Sequence, residues 1–327
     1  MQSKRRHGFS HRQGLAALQG KKIAVLGFGS QGQAQAQNMR DCGLDVIIGL
    51  KRGSKSWKKA HGAGFEVFET KGAAKRADII HVLIPDEMQG EAYKKDIQKN
   101  LSPGKTLAFS HGFSITFGLI KPPKDVDVIL VSPKAPGKAL REKFVEGKGV
   151  PGVFAIRQDH SGNAKAIARA IASAIGLAKK SLGECTFEQE THVNLFAEQA
   201  VLCGGLSELV KTGFETLVAR GYPKRLVYAE VVRQIKLLAD LIYAGGISYM
   251  WSEVSNTAEY GGRTRGKRVI GKESRREMGK ILREIQSGKF AREWVGEHKR
   301  GLKKLRAMRL RDALEQIERP ALKGRKH

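Results

Sequence analysis

The run Ala24-Val25-Leu26-Gly27-Phe28-Gly29-Ser30-Gln31-Gly32 restricts the fold more than any other stretch of the chain. A short apolar segment enters G-x-G-x-x-G, and Gln33-Ala34-Gln35-Ala36-Gln37-Asn38-Met39 leaves it in helix-forming residues. Strand, tight turn and helix start is the order a dinucleotide pyrophosphate needs. Gly27 allows the sharp turn, Gly29 lets the backbone approach the phosphates, and Gly32 lets the helix pack close to the strand. The phosphates then rest on free N–H groups at the positive end of the helix dipole. The competing reading is a glycine-rich turn that binds nothing.

A chain of 327 residues suggests two domains and ample material for a core. With 41% hydrophobic and 28% charged residues, the composition is that of a soluble globular protein. No apolar run reaches the roughly 20 residues of a membrane span. The first twenty residues carry Lys4, Arg5, Arg6 and Arg12 without an apolar segment, so no secretory signal is expected. Cys42, Cys185 and Cys203 lack metal-ligand spacing, which suggests a reducing, cytoplasmic setting. The 59 Lys and Arg against 32 Asp and Glu give a net charge of +27, which attracts polyanions. The cations are dispersed, however, and no aromatics interleave with them for base stacking. Residues 4–6 and 299–327 are the denser clusters. A solvated basic surface is the expectation, and a nucleic-acid partner is not.

From residue 22 to about 183, strand signals at 23–26, 45–50, 79–84, 106–109, 128–131 and 152–156 alternate with amphipathic helical runs. In one of these, Ile167, Ile171 and Ile175 recur on one face. Alternation of this kind means a parallel, doubly wound α/β sheet. Pro85-Asp86 and Ser110-His111-Gly112-Phe113 fall at strand ends, where such sheets bind ligands. Beyond Thr186 strand signals stop, and helical patterns run through 196–219, 226–243, 273–287 and 290–308. The expected division is residues 1–184 for cofactor binding and 185–327 as an all-α domain.

The second strand ends in Lys51-Arg52-Gly53-Ser54-Lys55-Ser56, with no acid to grip a ribose diol. The cations Lys51 and Arg52 and the hydroxyls Ser54 and Ser56 suit a 2′-phosphate, so NADPH is favoured over NADH. In the helical part, Asn194 and Glu198 are four apart, as are Glu230 and Gln234, which places each pair on one helix face. Such faces hold hard oxygen donors for Mg²⁺. Spacing alone equally describes a solvated face.

Taken together, these residues resemble the short (class I) ketol-acid reductoisomerases over about residues 15–318. The matching segments include Gly27-Phe28-Gly29-Ser30-Gln31-Gly32, Pro85-Asp86-Glu87, Ser110-His111-Gly112-Phe113 and Pro133-Lys134-Ala135-Pro136-Gly137. They continue in Glu198-Gln199-Ala200-Val201-Leu202-Cys203-Gly204-Gly205 and Ser255-Asn256-Thr257-Ala258-Glu259-Tyr260-Gly261. The resemblance implies an N-terminal Rossmann domain and a knotted helical C-terminal domain. It implies a homodimer or larger homo-oligomer whose active sites are shared between subunits. The implied reaction is Mg²⁺-dependent alkyl migration in 2-acetolactate or 2-aceto-2-hydroxybutyrate, followed by NADPH reduction to a 2,3-dihydroxy acid.

By the same resemblance, Phe28, Gly29, Ser30 and Gln31 line the pyrophosphate, and Lys51, Ser54 and Ser56 hold the 2′-phosphate. Asp86, Glu87, Met88 and Gln89 border the cofactor, and Gly137 touches its nicotinamide side. His111 is the active-site histidine, Glu198 and Glu230 are metal ligands, and Ser255 binds substrate. Lys134 is either a substrate-side cation or a surface lysine. The sequence departs from the family pattern at Asn194 and Gln234, where carboxylates are expected. Only two carboxylates are left to offset two divalent ions, so reduced Mg²⁺ occupancy is expected. Thr191-His192-Val193 and Gly261-Gly262-Arg263 have drifted too. A divergent paralogue therefore stays open as an alternative, either an NADPH-dependent 2-keto acid reductase or a non-catalytic polyanion-binding protein.

Overall fold

The computed structural model describes residues 14–313, 315, 317 and 318. The basic cluster at 4–6 and most of the tail beyond 313 lie outside them. The chain divides into two compact units, Met1–Thr191 and His192–His327.

The first unit is built on eight strands: β1 Lys22–Leu26, β2 Asp45–Leu50, β3 Val67–Glu69, β4 Ile79–Val82, β5 Thr106–Phe109, β6 Asp127–Pro133, β7 Val150–Gln158 and β8 Leu177–Glu184. They form one sheet in the order β3-β2-β1-β4-β5-β6-β7-β8. Its helices are α1 Ser30–Asp41, α2 Lys55–Gly62, α3 Thr70–Arg76, α4 Asp86–Ala92, α5 Phe113–Thr116, α6 Gly137–Val145 and α7 Ala164–Ile175. Successive strand side chains face opposite ways. Ile23, Val25, Ile79, Ala108 and Ile129 enter one core, while Ala24, Leu26, Ile80, Val82, Leu107 and Phe109 enter the other. Cover on both faces explains the near-continuous apolar reading of the central strands.

The sheet is parallel except at one junction, where β7 runs antiparallel to β6. Two strands carry no strand signal in the sequence. β3 has three residues. β8 reads Leu177-Ala178-Lys179-Lys180-Ser181 and is mostly exposed at the sheet edge, where polar residues are the rule. β1 is the switch point, since β2 and β4 flank it on either side. The loops leaving β1 and β4 therefore meet at the carboxyl end of the sheet, where Leu83 N–H donates to Leu26 O at 2.8 Å.

Helix α8 spans Phe187–Phe196. It is followed by α9 Gly204–Ala219, α10 Lys224–Tyr228, α11 Gln234–Ser252, α12 Asn256–Val269, α13 Lys272–Gln286, α14 Lys289–Lys299 and α15 Lys303–Asp312. No strand occurs in the second unit among the described residues. The helical runs expected from the sequence are broken where the backbone changes hand or pitch. A π-helical turn at Ala197–Leu202 precedes α9, and another at Ala229–Arg233 precedes α11. Gly301 and Leu302 adopt φ of 78° and 58° and separate α14 from α15. Helix α12 carries no clear helical pattern in the sequence, because Gly261, Gly262 and Gly266 depress its helix propensity.

Candidate functional site

A cavity of about 520 Å³ opens at the switch point, lined by Gly27, Phe28, Gly29, Ser30, Gln31, Leu50, Lys51, Ser54, Ser56 and Leu83–Asp86. The glycines divide their tasks as their spacing requires. Gly27 has φ +109°, and a Cβ there would meet Leu83 O at 2.7 Å. A Cβ on Gly32 would meet Gly27 O at 2.2 Å, whereas one on Gly29 would meet nothing within 4 Å. Two glycines thus close the turn, and the third leaves the approach clear. Helix α1 starts at Ser30, so its first-turn N–H groups lack intrahelical acceptors and its dipole favours an anion at the turn. Ser54 Oγ is buried without a hydrogen-bond partner, in a lining that also holds Lys51 and Ser56. A buried orphan hydroxyl beside a lysine is what a bound phosphate would satisfy. Arg52 is exposed and outside the lining.

Of the four residues opening α4, only Asp86 lines the cavity. Gln89 turns inward, donating to Ile84 O at 2.9 Å and to Asp86 Oδ1 at 3.0 Å, so it braces Asp86. Glu87 is half-buried and Met88 exposed. Gly137 starts α6 against α1: a Cβ there would fall 2.2 Å from Ser30 O.

Beside the cavity, Asp86 Oδ2 lies 2.8 Å from His111 Nδ1. His111 Nε2 lies 4.0 Å from Glu190 Oε2. Glu190, on α8, has a fully buried side chain that collects three donors. Lys134 Nζ donates at 2.7 Å, Ser132 Oγ at 3.0 Å and the Gly112 N–H at 3.1 Å. A buried carboxylate needs such pairing. Lys134 is thus bound into the network and is not a free surface lysine. Glu190 and Ser132 escaped the sequence reading. Glu190 stands in a polar helix start, Phe187-Glu188-Gln189-Glu190, where nothing marks one acid above its neighbours.

A second polar chain underlies the cavity. Gln31 Nε2 donates to Ala135 O at 2.8 Å, and Gln35 Nε2 donates to Gln31 Oε1 at 3.0 Å and to Ser110 Oγ at 3.1 Å. Ser110 Oγ donates to Val131 O at 2.9 Å. His81 Nε2 lies 2.8 Å from Gln35 Oε1, and burial lowers the His81 pKa to about 4.

In the helical unit, Glu198 sits in the π-helical turn after α8 and Glu230 in the one before α11, both exposed. Single π turns occur preferentially at functional positions. Asn194 is half-buried on α8. Gln234 Nε2 donates to Glu230 Oε2. Among the described residues no three His, Cys, Asp or Glu side chains form a metal-sized group. Ser255 caps α12, its Oγ accepting from the Ala258 N–H at 3.2 Å, and its hydroxyl hydrogen is left for another acceptor.

Residues 17–181 match the family described as acetohydroxy acid isomeroreductase, NADPH-binding domain, and residues 187–326 match ketol-acid reductoisomerase, C-terminal domain. The chain is 50% identical over 312 residues to ketol-acid reductoisomerase (NADP(+)) of Methanothermobacter thermautotrophicus, covering 95% of each chain. It is 49% identical over 310 residues to that of Methanocaldococcus jannaschii, covering 95% of this chain and 94% of the other. Among solved structures, an NADH-preferring ketol-acid reductoisomerase from an uncultured archean superposes with a TM-score of 0.92 at 46% identity, over 94% of this chain and 95% of that one.

Proposed function

The chain belongs to the ketol-acid reductoisomerase family, and from that premise we propose how its residues share the work. It is an NADP-dependent oxidoreductase of branched-chain amino-acid biosynthesis. It rearranges 2-acetolactate or 2-aceto-2-hydroxybutyrate and reduces the product with NADPH. The observation that carries the residue assignments is the phosphate cradle of Gly27, Gly29, Ser30, Lys51, Ser54 and Ser56, with the Asp86–His111 and Lys134–Glu190 pairs beside it.

NADPH fits this cradle, because Ser54 Oγ lacks a partner and the Gly29 face is clear. When bound, the cofactor supplies hydride. Lys51, Ser54 and Ser56 grip its 2′-phosphate, and Phe28 to Gln31 hold the pyrophosphate. Asp86 fixes the ring of His111 through Nδ1. Glu190 and Ser132 aim Lys134 Nζ, which donates a proton to the ketone oxygen as it becomes an alcohol. Gly137 sets the spacing of α6 against α1. Ser255 offers its hydroxyl hydrogen to the substrate carboxylate.

Brought together by the proposed assembly, Asn194, Glu198, Glu230 and Gln234 would suit one hard divalent cation better than an adjacent pair: two are carboxylates, two offer only neutral amide oxygens, and the Gln234 amide already donates to Glu230. Mg²⁺ held there supplies Lewis-acid polarisation of the substrate oxygens. That same contact favours a second reading, reduction of a simpler 2-keto acid with little isomerisation. NADPH oxidation followed with 2-acetolactate and with a simple 2-keto acid, with and without Mg²⁺, separates them. Mg²⁺-dependent turnover of acetolactate is expected, and turnover of the keto acid alone overturns the first reading.

The functional boundary is proposed at 184/185, seven residues before the division of the compact units, and is supported by β8 ending at Glu184 and α8 opening at Phe187. A homodimer or larger assembly with shared sites is proposed, supported by the apolar exposure of α11, where Leu237 is 61%, Tyr243 85% and Ile247 62% exposed. No helix among the described residues is long and apolar enough to cross a membrane. A cytoplasmic setting is proposed from the low cysteine content, three residues without metal-ligand spacing.

A further inference from the structure

We propose that His81, buried in the middle of the sheet on β4, is a positioning residue for cofactor binding: it fixes the orientation of the Gln35 and Gln31 side-chain amides beneath the cavity. The inference rests on the NADPH site proposed above.

The hydrogen bonds run in one direction. Gln35 Oε1 can only accept, so His81 Nε2, 2.8 Å away, carries the hydrogen. The other tautomer would set two lone pairs against each other and bury an unpartnered N–H, since Nδ1 has no hydrogen-bond partner. The two hydrogens of Gln35 Nε2 then go to Gln31 Oε1 and Ser110 Oγ, which saturates the amide. Gln31 Nε2 in turn donates to Ala135 O. Each amide orientation is dictated by the one before it, and the first is dictated by the histidine.

The two ends of this chain differ in setting. His81 is fully buried, in register with Val25 on β1 and Ala108 on β5. Gln31 lines the cavity. Ser110 precedes His111, and Ala135 follows Lys134, so the chain ties the first turn of α1 to both reactive loops. Without the His81 donor, the only other hydrogen-bonding group near Gln35 Oε1 among the described residues is Ser110 Oγ at 3.3 Å, whose single hydrogen already goes to Val131 O at 2.9 Å, so Oε1 is left a buried acceptor. The amide is then free to reverse, which turns its carbonyl toward Gln31 Oε1 and frees the Gln31 side chain to rotate into the cavity. The residue touches no ligand and acts through two others.

The test measures NADPH dissociation constants by cofactor fluorescence for the wild-type protein, His81→Leu, Gln35→Leu and the double variant. Each single change is expected to weaken NADPH about fivefold, the size of one net hydrogen bond. The double variant should be no worse than the weaker single by more than about twofold, because both cuts break one chain. His81→Gln, which keeps an N–H donor, should restore most of the affinity. In steady state, KM for NADPH should rise while KM for acetolactate stays; a merely destabilised protein loses active fraction without a KM change. If His81→Leu does not fold, Gln35→Met cuts the same chain one link later. NADPH affinity within twofold of wild type in both single variants, or fully additive losses, overturns the proposal. Absence of NADPH binding by the wild-type protein would instead overturn the cofactor site itself.

Discussion

Lys51 and His81 show how far single residues can be read from sequence. Lys51 stands out in the sequence because it occupies a strand end where an acid would otherwise mark NADH, and it lines the same cavity as Ser54 and Ser56. Lys51→Asp should weaken NADPH at least about tenfold and NADH much less, since a charge-assisted hydrogen bond contributes about 1.5–3 kcal/mol. Equal losses for both, measured by fluorescence titration, would remove the 2′-phosphate assignment. His81 was not legible, because a histidine inside Ile79-Ile80-His81-Val82 says nothing about its partner until α1 is laid across β4. Glu190 was hidden for the same reason, since its three donors come from segments 56 to 78 positions away. His81 also makes stability depend on pH. Its pKa is lowered from 6.5 to about 4 by burial. The folded state resists a proton that the unfolded state accepts, so stability is full above pH 6.5 and is lost as pH falls toward 4. The integrated loss is about 3 kcal/mol. Urea midpoints should fall across that window in the wild-type protein and much less in His81→Leu; parallel curves would show that His81 is not the titrating group.

At the scale of elements, periodicity reported what packing decides. The central strands were readable because both their faces are buried, and α7 because Ile167, Ile171 and Ile175 share a face. The edge strands β3 and β8 were not, because an edge needs neither length nor apolar alternation. The π-helical turns were invisible too, since one extra residue in a turn leaves no compositional trace. They matter because they hold Glu198 and Glu230. Under the proposed metal role, the amides Asn194 and Gln234 would add no negative charge to the two carboxylates. Isothermal titration with Mg²⁺ should therefore find at most one tight site per protomer in the wild-type protein. Asn194→Asp combined with Gln234→Glu should add a second by replacing two neutral oxygens with anionic ones and removing the Gln234–Glu230 contact. Two tight sites in the unaltered protein would refute this account of the donor set.

For the whole molecule, two properties oppose each other: a net charge of +27 and a broad apolar surface on the helical unit. The charge was plain in the sequence, whereas the surface was not. Leu237, Leu238, Ile242, Tyr243 and Ile247 on α11 are exposed in the single chain, which a helical pattern in the sequence does not reveal. α11 kinks at Gly246, where φ is 82°, and carries exposed apolar residues on both arms; such helical surface is normally buried, and a second copy of the chain is the partner proposed here. Two copies of +27 repel, so the association constant should carry the mark of both effects. Salt shortens the Debye length from about 30 Å at 0.01 M to about 8 Å at 0.15 M, which weakens the repulsion and leaves apolar contact untouched. Added salt should therefore strengthen self-association, the opposite of a polyanion complex, which loosens as counterions are no longer released favourably. Sedimentation equilibrium over that salt range should show the dissociation constant falling as salt rises. Leu237→Lys with Ile247→Lys should leave a monomer at every salt concentration. A dimer that persists in that double variant would move the interface away from α11, and one that weakens with salt would mean that ion pairs, not apolar burial, hold the copies together.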